Sequence, residues 1–249
     1  MRWLNGSQWE IGVDLAGAGK LRVEYSYQLR QEGNGVELDE WDGPRVVEVD
    51  FAKHDVVLRR DTWCSAGTVD HAFETKGFDA ILPERGPFAV AAVAKGANHG
   101  FSLRMAAVPE GMAPCVLGGV HEIGDWDWAK AVLMKEVAAN RWETNLYLPP
   151  DWRIEYKYGL CDVKSGRVVS LEIGENRSLE PRALAQSQWT AVSDEGYRRD
   201  GAGLYRGAGV AIPVFSLRSE SGLGVGEFAD LKPLADWASQ TGLKLIQIL

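Results

Sequence analysis

The feature that most constrains the fold of this chain is a strict alternation of apolar and polar residues over positions 153–160. Every second residue is apolar, in the order Ile154, Tyr156, Tyr158 and Leu160. A period of two is typical of a β-strand that buries one face and exposes the other. Similar alternations at 142–148 and 101–107 end at Pro149-Pro150 and at Pro109-Glu110-Gly111. Short alternating segments separated by proline and glycine turns predict a β-sandwich.

Between positions 115 and 177 the chain holds five short motifs rich in glycine, tryptophan and charged residues. In chain order they are Gly118-Gly119, Ile123-Gly124-Asp125-Trp126-Asp127, Trp142, Ile154-Glu155-Tyr156-Lys157-Tyr158 and Glu172-Ile173-Gly174-Glu175-Asn176-Arg177. Their order resembles the starch-binding domain of carbohydrate-binding module family 20. The resemblance implies an immunoglobulin-like antiparallel β-sandwich whose partner is an α-glucan such as maltodextrin, glycogen or starch.

The resemblance also implies four sugar-contacting residues, which are Trp126, Lys157, Glu172 and Asn176. Sugar recognition needs a flat apolar surface for the CH face of a glucose ring and polar groups for its hydroxyls. The tryptophan of the Gly-Asp-Trp-Asp turn suits the first role, although composition alone leaves a core position for Trp126 open. Leu171 stands where the family has a second tryptophan, so we expect one stacking surface to be lost and binding to be weak.

Residues 1–48 form an internal repeat of the same pattern. The segment Leu21-Arg22-Val23-Glu24-Tyr25-Ser26-Tyr27 aligns with residues 152–158 and repeats the Glu-Tyr-x-Tyr core. Ser26 takes the place of Lys157, so any sugar site in the repeat is altered. The counterpart of the opening strand at Phe101 would fall before position 1. We therefore expect a partial starch-binding module in a chain clipped at its N-terminus, with a real but partial domain as the alternative.

Charge and cysteine content narrow the classes of function. The chain has 249 residues and a net charge of −8, and it lacks the basic footprint of a nucleic-acid-binding protein. It contains no signal-peptide run and no uninterrupted transmembrane stretch, so we expect a cytoplasmic protein with no membrane partner. Cys64, Cys115 and Cys161 are odd in number and far apart, which fits neither a disulfide framework nor a zinc site. We expect reduced thiols, no metal and no cofactor.

The character of the sequence changes after position 206. Residues 210–218 predict an extended segment, a glycine-rich loop follows, and apolar residues recur at helical spacing from Phe228 to Ala238. Gly242 is expected to end the helix, and residues 243–249 indicate a buried strand of a parallel sheet. The glycines of the loop are too closely spaced for a dinucleotide-binding motif.

This second region resembles the opening of the catalytic (β/α)-barrel of 4-α-glucanotransferases, glycoside hydrolase family 77, over residues 211–231 and again from Asp236 onward. The resemblance implies a retaining transfer of glucosyl or maltosyl units through an aspartate nucleophile and a glutamate acid/base. Those carboxylates belong to later barrel strands, so no residue of this chain is assigned as catalytic, and we expect the chain alone to be inactive. Glu227, Asp230 and Asp236 are interpreted as solvated or capping residues of the helix.

Together the patterns predict a mainly β protein in five regions. These are a partial starch-binding module at 1–48, a connector at 49–87, a complete module at 88–182, a linker at 183–206 and the start of a barrel at 207–249. The favoured function is the glucan-binding region of a 4-α-glucanotransferase. A stand-alone glucan-binding module that recruits another catalytic or regulatory domain is the alternative, and the barrel-like segment argues against it. A structural sandwich without a ligand is disfavoured by the four candidate sugar contacts.

Overall fold

The fold is given by a computed structural model, which describes residues 1–5, 8–15, 19–31, 33, 35–41, 43–65, 88, 95–181, 187–199, 207–220 and 222–249. The chain divides into two compact units, Met1–Arg199 and Asp200–Leu249. Within the described ranges no helix is long and apolar enough to cross a membrane.

The first unit is built from strands. In chain order they are β1 Arg2–Asn5, β2 Gln8–Glu10, β3 Lys20–Tyr25, β4 Gln28–Arg30, β5 Glu37–Asp39, β6 Arg45–Asp50, β7 Val56–Asp61, β8 His99–Arg104, β9 Met112–Gly118, β10 Val132–Leu133, β11 Lys135–Ala138, β12 Arg141–Leu146, β13 Ile154–Asp162, β14 Val168–Leu171, β15 Arg177–Leu179 and β16 Gln188–Asp194. One sheet has the order β10-β9-β13-β14, with β15 also paired to β13. The other sheet has the order β11-β12-β8-β16-β7.

Side chains from these two sheets meet in one apolar core. Tyr156 and Tyr158 of β13 are buried, and the ring of Phe101 on β8 lies 5.3 Å from that of Tyr156 between centroids. Trp142 of β12 belongs to the same core, and its indole N–H donates to the carbonyl of Met105 at 3.1 Å. Each such buried side chain stabilises the fold by about 1.5–3 kcal/mol. The β-sandwich predicted from the alternation of apolar residues is confirmed.

β16 is the strand that the sequence analysis did not anticipate. It lies within the predicted linker at 183–206, yet it occupies the place between β8 and β7 in the sheet. It runs parallel to both neighbours, whereas the other pairings of the two sheets are antiparallel. Its inward face combines Val192 with the buried polar Asp194, so an apolar alternation is not visible. The structure therefore extends the sandwich beyond the predicted boundary at 182, and β7 from the predicted connector joins the same sheet.

Residues 1–50 form three separate two-stranded sheets, which pair β1 with β2, β3 with β6 and β4 with β5. Large apolar side chains in this region are exposed, among them Trp3 and Trp9. The described residues of this region do not form a closed sandwich of their own. That the region is a partial starch-binding module stays a prediction.

A similar network of buried and half-buried polar side chains occurs twice in the first unit. The first polar network comprises Tyr25, Tyr27, Glu40, Arg45 and Asp61, and the second polar network comprises Tyr156, Tyr158, Glu172, Arg177 and Asp194. In each network the arginine donates two N–H groups to the glutamate, and one aspartate oxygen accepts both tyrosine hydroxyls. Because the members follow each other in the same chain order, the networks support the internal repeat seen in the sequence.

The second unit has a strand, helix and strand in succession. β17 Gly209–Ile212 pairs in parallel with β18 Leu245–Ile248, and the helix α1 Leu231–Thr241 lies between them in the chain. Glu227 and Asp230 form a capping box before α1, in which the carboxylate of Asp230 accepts the backbone N–H of Glu227 at 2.8 Å. The capping interpretation of these two residues is therefore confirmed, and the helix begins three residues later than the apolar spacing indicated.

Candidate functional site

The backbone around Trp126 holds this residue in a tight turn. The three residues Gly124, Asp125 and Trp126 have positive φ angles of 90°, 50° and 61°. A positive φ is unfavourable for residues other than glycine, so the surrounding structure must hold the last two in place. It does so through backbone hydrogen bonds, because the N–H of Trp126 donates to the carbonyl of Gly118 at 2.8 Å. The position of the indole is thus fixed by the turn rather than by the side chain alone.

The indole of Trp126 lies on the outer face of the sheet that contains β9 and β13. It packs against a small apolar cluster that includes Cys115, Leu117 and Leu171. A Cβ atom added to Gly119 would lie 3.1 Å from Nε1 of Trp126, which is closer than most side chains tolerate. A glycine at this position therefore lets the ring rest on the strand end. Trp126 is half-buried, so it packs against this cluster and is also partly accessible to solvent.

Lys157 projects from the same outer face of β13 and is half-buried. Its ammonium group donates to the carbonyls of Gly174 at 2.6 Å and of Glu172 at 3.3 Å. These two contacts attach the loop after β14 to the strand. An ammonium group has three protons, so one donor remains available for a ligand.

Asn176 lies in that loop and is exposed. Its side-chain amide donates to the carboxylate of Glu155 at 2.9 Å. The backbone carbonyl of Glu155 in turn accepts the N–H of Gly119 at 2.9 Å, which connects this part of β13 to the strand end beneath Trp126. Glu155 was not among the predicted site residues. The alternation of β13 could have identified Glu155 as a site residue, because Glu155 and Lys157 are two residues apart and therefore lie on the same face of the strand.

Glu172 occupies a different environment, and that this residue contacts sugar stays a prediction. It is 2% exposed, and its carboxylate accepts two N–H groups of Arg177, each at 2.8 Å. The backbone N–H groups of Tyr158 and Arg198 donate to the same carboxylate at 3.1 and 3.3 Å. The carboxylate therefore has no open side toward solvent. Glu172 belongs to the second polar network, and only its backbone carbonyl, which binds Lys157, takes part in the site.

Arg177 holds the second polar network together inside the sandwich. Besides Glu172, it binds the carboxylate of Asp194 at 2.7 Å, and that carboxylate accepts the hydroxyls of Tyr156 and Tyr158. Burial by itself would lower the pKa of Arg177, but the hydrogen bonds and charges of the two carboxylates raise it above its ordinary value. Burial raises the pKa values of both tyrosines well above the ordinary range, so their hydroxyls stay protonated and donate. The network is thus a structural element beneath the candidate site.

The structure therefore brings Trp126, Lys157 and Asn176 to one outer face of the sandwich and adds Glu155 to them. A flat aromatic face next to hydrogen-bond donors and acceptors is suited to a polyhydroxylated ring. Among the described residues no cluster of histidine, cysteine, aspartate and glutamate is arranged to hold a metal ion.

Comparisons with known proteins find two separate regions of the chain that match known families. Residues 101–190 match the starch binding domain family CBM_20, and residues 212–249 match the glycosyl hydrolase 77 family of 4-alpha-glucanotransferases. The 4-alpha-glucanotransferase DPE2 of Oryza sativa subsp. japonica is 37% identical over 142 residues, which are 56% of this chain and 14% of that protein. The 4-alpha-glucanotransferase of Chlamydia trachomatis serovar D is 46% identical over 41 residues, which are 16% of this chain and 8% of that protein.

One solved structure aligns with part of the chain. The family 20 CBM of the maltotetraose-forming amylase from Pseudomonas saccharophila STB07 aligns with a TM-score of 0.32 and 20% identity, over 38% of this chain and 97% of that chain. The chain spans only about 14% of the length of the rice relative. Residues 101–190 are therefore similar to the CBM20 starch-binding domains, and residues 212–249 are similar to the 4-alpha-glucanotransferases of glycoside hydrolase family 77.

Proposed function

We propose that the surface formed by Trp126, Lys157 and Asn176 binds α-1,4-glucan. The observation that carries this proposal is the geometry of Trp126, whose half-buried ring is held over Gly119 by a turn with two strained residues. Strain of this kind costs about 1–3 kcal/mol per residue and is concentrated at functional sites. A tryptophan that only fills the core would not need a strained turn, because nothing would require its ring to be held at the surface.

The recognition chemistry follows from the groups beside the ring. The CH face of a glucose residue stacks on the ring of Trp126, and its hydroxyls meet the remaining donor of Lys157. The amide of Asn176 offers its second N–H and its carbonyl to neighbouring hydroxyls. Glu155 acts on the sugar through Asn176, because it fixes the orientation of that amide.

The proposed affinity is low because the site has one aromatic surface. Leu171 is half-buried beside Trp126 and packs against the same apolar cluster, so it offers no flat face to a sugar. A missing aromatic contact weakens binding by roughly 1 kcal/mol, or nearly tenfold. Soluble maltodextrins should therefore bind in the high micromolar to millimolar range.

We also propose that the glucan-binding region serves a 4-alpha-glucanotransferase that transfers glucosyl or maltosyl units between α-1,4-glucans. The match at residues 212–249 and the names of the related proteins support this proposal. The first polar network supports the further proposal that residues 1–48 derive from a second starch-binding module. A cytoplasmic location is proposed as well, supported by Cys64, Cys115 and Cys161, which are buried and form no disulfide.

The test is a titration of the 249-residue chain and its Trp126→Ala variant with maltoheptaose, followed by two-dimensional nitrogen–proton correlation spectra. We expect saturable shifts of the backbone amides of residues 118–126 and 155–157 in the wild-type chain and none at these amides in the variant. Trp237→Ala is the matched control, because Trp237 is also exposed and lies in the second unit. Unchanged maltoheptaose shifts at these amides in a folded Trp126→Ala variant would overturn the proposal.

A further inference from the structure

The loop that joins β14 to β15 comprises residues 172–176 and is called the site loop here, because Asn176 is its last residue. Lys157 of β13 binds two of its backbone carbonyls, those of Glu172 and Gly174. A third carbonyl, that of Glu175, accepts an N–H of the Arg198 guanidinium group at 2.9 Å. Two cations from different parts of the chain therefore hold the site loop, one from within β13 and one from the segment after β16.

The backbone of Arg198 is itself attached to the site loop. Its carbonyl accepts the N–H of Ile173 at 2.9 Å, and its own N–H donates to the carboxylate of Glu172 at 3.3 Å. A Cβ atom added to Gly174 would lie 3.9 Å from Nη1 of Arg198, so the arginine side chain passes along the loop at this glycine. The guanidinium group thus reaches the carbonyl of Glu175 from a backbone that is already fixed, and a ligand does not have to order it.

The hydrogen bond from Arg198 acts on the orientation of Asn176. The carbonyl of Glu175 and the nitrogen of Asn176 belong to one peptide unit, which is planar. A donor that holds this carbonyl therefore fixes the rotation of the peptide from which the side chain of Asn176 projects. The side-chain amide is fixed independently, because it donates to the carboxylate of Glu155 at 2.9 Å. Asn176 is thus oriented through its backbone by Arg198 and through its side chain by Glu155.

The surroundings of Arg198 differ from those of an arginine that stabilises the fold. Arg198 is exposed, and among the described residues no carboxylate forms an ion pair with its guanidinium group. Arg177, by contrast, is buried and binds the carboxylates of Glu172 and Asp194. An exposed hydrogen bond to a backbone carbonyl contributes little to stability, so the role of the Arg198 side chain is sought in the loop that it holds.

We propose that Arg198 is a positioning residue of the glucan site, which holds the peptide before Asn176 so that the side-chain amide faces a sugar beside Trp126. The proposal rests on the function proposed for the surface of Trp126, Lys157 and Asn176. Residue 198 lies beyond residues 101–190, which match the starch-binding family. The glucan site therefore depends on a residue outside the matched module.

The experiment compares the full 249-residue chain with its Arg198→Ala variant in nitrogen–proton correlation spectra, with maltoheptaose as the probe. We expect the dissociation constant read at the Trp126 indole N–H to rise about fivefold, because a hydrogen-bonding amide is no longer held in place. The thermal midpoint should stay within about 2 °C of the wild-type value, because the side chain is exposed. Arg218→Ala is the matched control, since Arg218 is also exposed, donates to backbone carbonyls and lies in the second unit.

A second measurement follows the loop without sugar. The nuclear Overhauser effect between the nitrogen and proton of the Asn176 backbone amide reports fast motion. We expect this effect to fall in Arg198→Ala and to stay unchanged in Arg218→Ala. A weaker binding constant without a change at Asn176, or a change at Asn176 without weaker binding, would overturn the proposal.

A double-mutant cycle with Asn176→Ala separates positioning from a direct contact with sugar. If Arg198 acts through Asn176, adding Arg198→Ala to Asn176→Ala should change the dissociation constant by less than about 1.5-fold. A further fivefold rise in the double variant would contradict the positioning role and assign the sugar contact to Arg198 itself. If maltoheptaose leaves the Trp126 signal of the wild-type chain fixed, the function proposed for the surface fails, while the sugar-free measurement at Asn176 still decides whether Arg198 holds the loop.

Discussion

Replacing Glu172 by alanine distinguishes a residue that holds the fold from one that contacts sugar. Its carboxylate is buried and accepts N–H groups from Arg177, Tyr158 and Arg198. Without it, the guanidinium of Arg177 stays inside the sandwich with the carboxylate of Asp194. Removing one partner of a buried ion pair costs about 3–5 kcal/mol, because the other charge remains out of water. For a unit of the size of Met1–Arg199 such a loss lowers the thermal midpoint by about 6–20 °C.

The assay is thermal unfolding followed by circular dichroism, with a urea titration to obtain the free energy of unfolding. Glu155→Ala is the matched control, because it removes the same side chain from an exposed pair with Asn176 and should cost less than about 1 kcal/mol. Equal midpoints for the two variants would refute the structural role. So would a Glu172→Ala chain that keeps its midpoint and loses maltoheptaose binding, since that outcome belongs to a sugar contact.

Four further variants test the core, the site and the ion pairs. Trp142→Ala should lower the free energy of unfolding in a urea titration by about 3–5 kcal/mol, because it opens a cavity in the core. Lys157→Ala should weaken maltoheptaose binding in a correlation-spectrum titration by about 1–2 kcal/mol. Gly119→Ala should displace the ring of Trp126 and weaken binding in the same titration, with little change in thermal midpoint. The folded protein holds the pKa of Glu195 below the ordinary value of about 4.3. The ion pairs of Glu195 with Arg45, Arg104 and Arg141 therefore stabilise the fold at pH values above about 4.3, and this stabilisation is lost as the pH falls through the pKa of Glu195 in the folded protein. Thermal midpoints measured from pH 6 to pH 3 should therefore fall less in Glu195→Gln than in the wild-type chain.

The sequence predicted those strands in which the burial of apolar residues alone sets the alternation of residue types. β13 was recognised because every second residue from Ile154 to Leu160 is apolar, and these residues lie in or against the core. β16 was missed because Asp194 faces inward, and no periodicity in apolar residues reveals a buried carboxylate. Its burial is favourable only because the hydroxyls of two tyrosines and the guanidinium of Arg177 reach it from other strands. Such partners are distant in the sequence, so single-chain patterns do not contain them.

The candidate site was predictable to a similar degree. The turn around Trp126 was identified from its glycine and aspartate neighbours, and the alternation of β13 placed Lys157 on the outer face. The burial of the Glu172 carboxylate was not predicted, because a motif gives the residue type at a position and not the partners of its side chain. Arg177 in the same motif could have indicated an ion pair with Glu172, since a glutamate and an arginine on neighbouring segments can pair with each other instead of with a ligand.

A comparison of the two polar networks distinguishes residues that maintain the fold from residues that contact a ligand. Both networks contain two tyrosines, a glutamate, an arginine and an aspartate in the same chain order, although the first repeat and the sandwich differ in how their strands pair. The position of Lys157, by contrast, is occupied by Ser26 in the first repeat. A side chain that is needed to satisfy a buried charge is present wherever that charge is buried, because leaving it alone costs several kcal/mol. A side chain that only contacts a ligand is under no such requirement, and the exchange of lysine for serine therefore favours a ligand role for Lys157 and a structural role for Glu172.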